Sequence, residues 1–205
     1  MPQAVIFDIG NVLLEWDARA LYRGLLPDEA AIDAFFAETG FHDWNLEFDR
    51  GLDWDEGVAA HSARFPHRAD LLRAFHDRWH ETVLGPIAGS VAILESLDAA
   101  GVPLYAITNF AAPKYQETRK RFAFLGRFRD VVVSGHEGMV KPDPAIYRLC
   151  LDRNDLAAGD CIFIDDNAAN VAGAAAVGID AIHFTRPEAL ADELRRRGLP
   201  ASLTR

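Results

Sequence analysis

The chain has 205 residues, half of them apolar and a quarter charged, enough for one large domain or a core with an insertion, without a disulfide or metal staple. Its 31 acidic and 21 basic residues give a net charge of −10 with no basic stripe, which argues against nucleic acid or an anionic membrane surface as partner. No apolar run reaches the ~18 residues that span a bilayer, no signal peptide precedes Ala4, and Cys150 and Cys161 stand in no CxxC motif, so the expectation is a cytoplasmic protein with reduced thiols.

In chain order, residues 4–7 read as a buried strand closed by Asp8, with a Gly10-Asn11 turn directly after it. Residues 16–85 hold no strand pattern. They carry amphipathic stretches near 28–39, 53–64 and 68–83 and all four tryptophans (Trp16, Trp44, Trp54, Trp79), which predicts a helical insertion above the strand ends. Further strands are expected at 102–107, 131–133, 161–165 and 179–184. Between them, Ser90 is placed to cap a helix through Val91, Leu94 and Leu97 that Gly101 stops ahead of Pro103. Asp143-Pro144 opens the next, through Ile146, Leu149 and Cys150, and a third runs over 168–177 to Gly178. Thr185 and Glu188 form a capping box for the last helix, whose Arg195-Arg196-Arg197 run suits its dipole. Strand–helix alternation implies right-handed crossovers and an α/β fold: a Rossmann-like open parallel sheet built from residues 1–15 and 86–205, with a helical cap over 16–85.

Polar groups recur where these strands end. Asp8 closes the first strand, Thr108-Asn109 the second, and Asp165-Asp166 the fourth, while Lys141 stands in Val140-Lys-Pro-Asp-Pro144. Each alone has an ordinary reading: a loop-capping acid, a strand terminator, a pair of N-cap acids, a solvated lysine. Together they fall along one edge of one sheet, where open α/β folds bind ligands. Three carboxylates delivered there by two strands make a hard-oxygen site that suits Mg²⁺.

On these residues the chain resembles the haloacid dehalogenase (HAD) superfamily of aspartate-nucleophile hydrolases, over its whole length. Asp8-Ile-Gly-Asn-Val12 is similar to the first motif, Thr108-Asn109 to the second, Lys141-Pro142 to the third and Asp165-Asp166 to the fourth. The resemblance implies that Asp8 attacks phosphorus to give an aspartyl-phosphate. It implies Mg²⁺ held by Asp8, the Gly10 carbonyl and Asp166 with Asp165 nearby, and a phosphoryl group held by Thr108 and Lys141, with Gly10, Asn11 and Asn109 lining its site. The substrate would be a small phosphorylated metabolite, a sugar phosphate among the candidates. One position departs from the pattern: the second Asp that usually follows the nucleophile by two residues is Gly10 here. A Gly-Asn version of the motif resembles the glucose-1-phosphatase-like members. Loss of a general acid costs about 10²–10⁴-fold, and Glu15 and Asp17 are candidate replacements. In the turn-like stretch His42–Gly51, Arg50 and Trp44 are expected to face the site. His76 and His80 stand at i, i+4 without a third metal ligand and are read as packing or surface residues. Two alternatives stay open: a 2-haloacid dehalogenase, in which Asp8 attacks carbon and the acidic pair has no use, and a non-catalytic binding module on the same fold.

Overall fold

The computed structural model of the chain describes residues 4–203. After β1 (Ala4–Phe7) come β2 (Leu14–Trp16) and five helices: α1 (Ala18–Tyr22), α2 (Glu29–Thr39), α3 (Phe41–Asp49), α4 (Trp54–Arg64) and α5 (Ala69–Asp77). A short strand, β3 (Val83–Pro86), leads into regular alternation: α6 (Ala88–Ala99), β4 (Leu104–Thr108), α7 (Ala112–Arg121), β5 (Asp130–Val133), α8 (Ser134–Glu137), α9 (Pro144–Arg153), β6 (Cys161–Asp165), α10 (Ala168–Ala176), β7 (Asp180–His183) and α11 (Pro187–Arg196). Five strands form one parallel sheet in the order β5-β4-β1-β6-β7.

β1 is central, with Val5 opposite both Leu104 and Ile162 and Phe7 opposite both Ala106 and Ile164. All four of its residues are buried. That is why it reads as an unbroken apolar run: a parallel strand covered on both faces has no polar side. Alternation still sorts its side chains. Val5 and Phe7 join the apolar cluster under α6 and α11, whereas Ala4 and Ile6 join the one under α9 and α10. From β1 the chain builds β4 and β5 on one side, then crosses to build β6 and β7 on the other. The carboxyl ends of β1, β4 and β6 therefore meet at the reversal of strand order, the place where such sheets open a crevice.

The two-stranded ribbon is absent from the sequence expectations. β2 and β3 pair antiparallel, Leu14 with Pro86 and Trp16 with Val83, where the chain leaves the sheet and returns to it. Strands of three and four residues show no readable period, and Gly85-Pro86 signals a break rather than a strand. The stretch His42–Gly51 also differs: most of it is α3, a helix and not a turn. Phe41, Trp44 and Phe48 repeat at i, i+3 and i+7 and are buried. They pack with Tyr22, Phe35, Phe36, Trp54 and Phe75, including stacked pairs Phe36–Phe41 and Phe48–Trp54, each 4.2 Å between centroids. The pattern near 68–83 is interrupted too, α5 ending at Asp77 and a 3₁₀ turn covering Trp79–Thr82.

The expected cap at Asp143 forms, and Asp28, Asp53 and Asn167 cap their helices in the same way, each side chain accepting a first-turn N–H. Two expected caps do not form. Ser90 lies inside α6, which begins after Ile87, and the N-cap of α11 is Arg186, one residue past Thr185, with no side-chain cap bond. Pro187 at the first helical position fixes that start instead. Cys150 and Cys161 are free and buried, and burial pushes their thiols up to about 12 and about 11, leaving them as inert packing. Among the described residues no helix is long and apolar enough to cross a membrane.

Candidate active site

Asp8 is fixed by the chain on both sides of it. Its N–H donates to the Ile164 carbonyl of β6 at 2.8 Å, which carries the sheet ladder one residue beyond β1. Its own Oδ1 accepts the Ile9 N–H at 2.6 Å. The loop that follows turns tightly because Asn11 adopts a positive φ of 53°, a region that Asn tolerates better than most residues. There Asn11 donates its N–H to Leu14 and accepts the Trp16 N–H on its side chain, which starts β2 directly beside the site.

Lys141 is 3 % exposed. Its Nζ lies 2.8 Å from Asp8 Oδ1 and 2.7 Å from Asp165 Oδ2, so one ammonium joins acids from two adjacent strands. Asn109 holds it in place with a two-bond clamp: Asn109 Nδ2 donates to the Lys141 carbonyl at 3.1 Å and Asn109 Oδ1 accepts the Lys141 N–H at 2.8 Å. Asp165 is fully buried and its oxygens are already occupied. Oδ1 accepts the Asn167 N–H, Oδ2 accepts Lys141, and Asn170 Nδ2 donates to both at 3.1 and 3.2 Å. Tyr147 in turn donates to the Asn170 carbonyl at 2.8 Å.

Oxygens of Asp8, Asp165 and Asp166 all lie within 4.8 Å of one another. Three carboxylates around one ammonium leave two negative charges in excess in a largely buried place, which is costly at low dielectric. The titration behaviour follows from this. Burial, with Asp165 close by, pushes Asp8 up to about 7 against the pull of Lys141. Burial and then the Asp165 charge raise Asp166 as well. Burial works against the Lys141 charge, but the two carboxylates outweigh it and raise its pKa, so the lysine stays protonated. A divalent cation would restore neutrality, and oxygens within 4.8 Å of one another are near enough to share one ion.

Above this cluster opens a cavity of about 270 Å³. Asp8, Gly10, Asn11, Asn109 and Asp166 line it together with Asn167 and Asn170 on one side, and Leu14, Trp16, Asn45, Asp49, Trp54, Trp79, Val83, Phe110 and Ala111 complete the wall. Thr108 is buried behind this surface, opposite Val133 of β5, and is not part of the lining. Neither of the two side chains expected to reach the site from 42–51 does so. Trp44 is buried in the helical segment, stacked on His61 at 4.8 Å with its Nε1 donating to Gly57, and Arg50 is exposed and pairs with Glu47 one turn back. That stretch forms a helix, so its cavity-facing residues are Asn45 and Asp49, on a different stripe from Trp44. Glu15 and Asp17 stand outside the cavity as well. Glu15 is exposed on β2, and Asp17 caps α1 and pairs with Arg23 at 2.8 Å. His76 faces Asp55 and Asp77 on the surface.

Sequence reasoning gives no role to Asn170, Asp49 or the apolar wall. A signal for Asn170 exists in the spacing Asp165-Asp166-Asn167-x-x-Asn170, which puts the amide on the first turn of α10, directly after the acids. Asp49 has no local signal, since only the tertiary packing of α3 brings it to the cavity.

A sequence profile of haloacid dehalogenase-like hydrolases matches residues 2–178. A sesquiterpene phosphatase of Aspergillus oryzae is 31% identical over 195 residues, covering 95% of either chain. An (S)-2-haloacid dehalogenase of a Pseudomonas species is 30% identical over 120 residues, 58% of this chain and 52% of its own. In fold, the chain is similar to a HAD family enzyme of Bacteroides thetaiotaomicron crystallised with magnesium and inorganic phosphate, with a TM-score of 0.68 at 17% identity over 91% of this chain and 96% of that one.

Proposed function

The chain belongs to the haloacid dehalogenase-like hydrolases, and we propose that it is a Mg²⁺-dependent phosphatase in which Asp8 attacks the phosphorus of a small organic phosphate. The observation that carries this reading is the excess of negative charge around Lys141, where Asp8, Asp165 and Asp166 crowd within 4.8 Å. Attack on carbon with a departing halide needs neither a divalent cation nor the acidic pair, so this geometry favours phosphate over haloacid. The sesquiterpene phosphatase among its relatives points the same way.

Asp8, Asp166 and the Gly10 carbonyl would hold the metal, because the oxygens of Asp165 are already taken by Lys141, Asn167 and Asn170. Bound there, Mg²⁺ supplies charge stabilisation to the transferring phosphoryl group. Ile9 and Lys141 fix Oδ1 of Asp8, so the carboxylate would attack through one oxygen and face the metal with the other. The acyl phosphate it forms splits one displacement into two. Lys141 offsets the charge of Asp8 and the incoming phosphate, and Asn109 keeps Lys141 in register. Asp165 is a positioning residue that aims Lys141.

The segment 16–85, which we take as the cap, supplies Trp16, Asn45, Asp49, Trp54, Trp79 and Val83 to the cavity. With Leu14 and Phe110 these make a wall of large apolar and aromatic groups, suited to an alcohol with an apolar or flat portion. A sugar phosphate is the second reading, favoured by the amides of Asn11, Asn45, Asn109 and Asn170 on the polar side. A panel of isoprenoid, aryl and sugar phosphates, assayed with Mg²⁺ and with EDTA, tests both. Release of phosphate only with Mg²⁺ supports the proposal. Release undiminished in EDTA, or halide release from 2-haloacids with no phosphate release from any panel member, overturns it.

A further inference from the structure

Gly10 leaves the usual place of the general acid without a carboxylate, and the cavity has one to spare. Among the described residues, its ionisable lining side chains are Asp8, Asp49 and Asp166. The first is the nucleophile and the third a metal ligand in the reading above, on which this inference rests. Asp49 is uncommitted. It is the last residue of α3, so it enters from the helical segment, across the cavity from the carboxyl ends of the strands.

Its position is built by close backbone approaches. Gly51, at φ 97°, turns the chain just past α3, and a Cβ there would lie 3.0 Å from the Gly135 carbonyl. Gly135 is itself pressed against the chain after β4, where a Cβ would meet the Ala112 nitrogen at 2.6 Å and the Phe110 carbonyl at 2.8 Å. These contacts lock the end of α3 onto the start of α7 and bring the Ala111 N–H to the Asp49 carboxyl, while Asn45 Nδ2 reaches Asp49 Oδ2 at 3.5 Å. We infer that Asp49 is the acid and base of the reaction, giving its proton to the departing oxygen and later taking one from the attacking water.

The two steps balance. As an Asp8 oxygen bonds phosphorus, the bond to the ester oxygen breaks, its electron pair stays on that oxygen, and the Asp49 proton moves there to release a neutral alcohol. Asp49, now a carboxylate, accepts a proton from water as the water oxygen bonds phosphorus. The bond from phosphorus to Asp8 breaks, both acids return to their starting forms, and hydrogen phosphate leaves. The surroundings of Asp49 suit a group that must hold a proton near neutrality: burial pushes it up to about 7, with the Ala111 N–H and the Lys141 charge pulling less strongly the other way. Of the charges on elements packed near it, Glu38 of α2 pairs with His67 and Arg68, and Asp53 and Glu56 are exposed at the start of α4. On α8 His136 is exposed and Glu137 pairs with Arg153, while Lys114 of α7 lies over the Trp54 ring.

The test compares an alkyl phosphate, whose alkoxide is a poor leaving group, with p-nitrophenyl phosphate, whose phenolate needs little help. With Mg²⁺, Asp49→Asn should lose roughly 10²-fold more kcat/KM, which reports the step that expels the alcohol, on the alkyl than on the aryl ester. A carboxylate restored at Gly10, where a Cβ meets no atom within 4 Å, should recover most of the difference in the Gly10→Asp/Asp49→Asn double variant. In the wild type, kcat/KM for the alkyl ester should fall on the alkaline side of its profile while kcat/KM for the aryl ester does not, a readout that needs no variant to fold. Equal losses on the two esters together with identical wild-type profiles would overturn the assignment while leaving the phosphatase reading intact. A wild type inert toward both esters overturns that reading and this inference together.

Discussion

Lys141→Met removes one ammonium from between two buried acids while keeping most of the buried stem. Asp8 and Asp165 then face each other at 10 % and 0 % side-chain exposure, and the contacts of 2.8 and 2.7 Å that compensated them are gone. Breaking a buried pair from one side costs about 3–5 kcal/mol. For a chain of this size that corresponds to a Tm lower by roughly 6–20 °C. The deficit should depend on pH in a definite direction. Without the lysine, Asp8 loses the charge that opposes the effect of burial and titrates further above its unfolded value of roughly 4. A raised folded-state pKa contributes stability that is present at low pH and lost as pH rises through it. Asp8 already stands at about 7 with the lysine in place, so the gap between wild type and variant should be widest above about 7 and narrow towards ~4. Urea unfolding in EDTA at pH 8 and pH 5 measures it, and Asp165→Asn in the same background should recover at least half of the loss at pH 8. A deficit below about 1 kcal/mol at pH 8, or one equal at both pH values, would refute the charge balance described for this site.

Asn109→Ala removes both bonds of the clamp on Lys141 and should lower kcat by about tenfold with little change in KM, since it misplaces a charge that stabilises the transition state; a steady-state comparison checks this. Gly135→Ala would put a methyl 2.6 Å from the Ala112 nitrogen, and overpacking of that kind costs about 1–3 kcal/mol, read by denaturant unfolding. Mg²⁺ at a hundred times its Kd should add about 2.7 kcal/mol to the stability of the wild type, because it binds the folded carboxylate cluster only. Titration of the melting temperature shows this, and Asp166→Asn should blunt it.

How much of this was legible in the sequence depends on the range of the interaction. Asp8, Asp165 and Asp166 sit at the ends of strands whose buried apolar runs announce themselves, so topology alone gathers them. The helix caps at Asp28, Asp53 and Asp143 are equally local. The ribbon of β2 and β3 is not, because Leu14–Trp16 becomes a strand only by meeting Val83–Pro86. The stretch around Trp44 carries a helical aromatic repeat amid polar residues, and the polar residues dominate a local reading. That reading places Trp44 at the site, although a large ring in a small helical segment gains more by stacking on His61 and meeting Phe48 edge-to-face. Asp49 could not be found locally at all, since its reach into the cavity depends on two glycines, Gly51 and Gly135, far apart in the chain.

In the proposed mechanism Asp8 bonds phosphorus and water then attacks phosphorus, not the Asp8 carbonyl. Turnover of p-nitrophenyl phosphate with Mg²⁺ in ¹⁸O-labelled water, followed by mass spectrometry of the released phosphate and of the peptide containing Asp8, distinguishes the two. Heavy oxygen is expected in the phosphate and none in Asp8, with no turnover by Asp8→Asn. Heavy oxygen accumulating in the Asp8 carboxylate, as when an ester on carbon is hydrolysed, would contradict that mechanism.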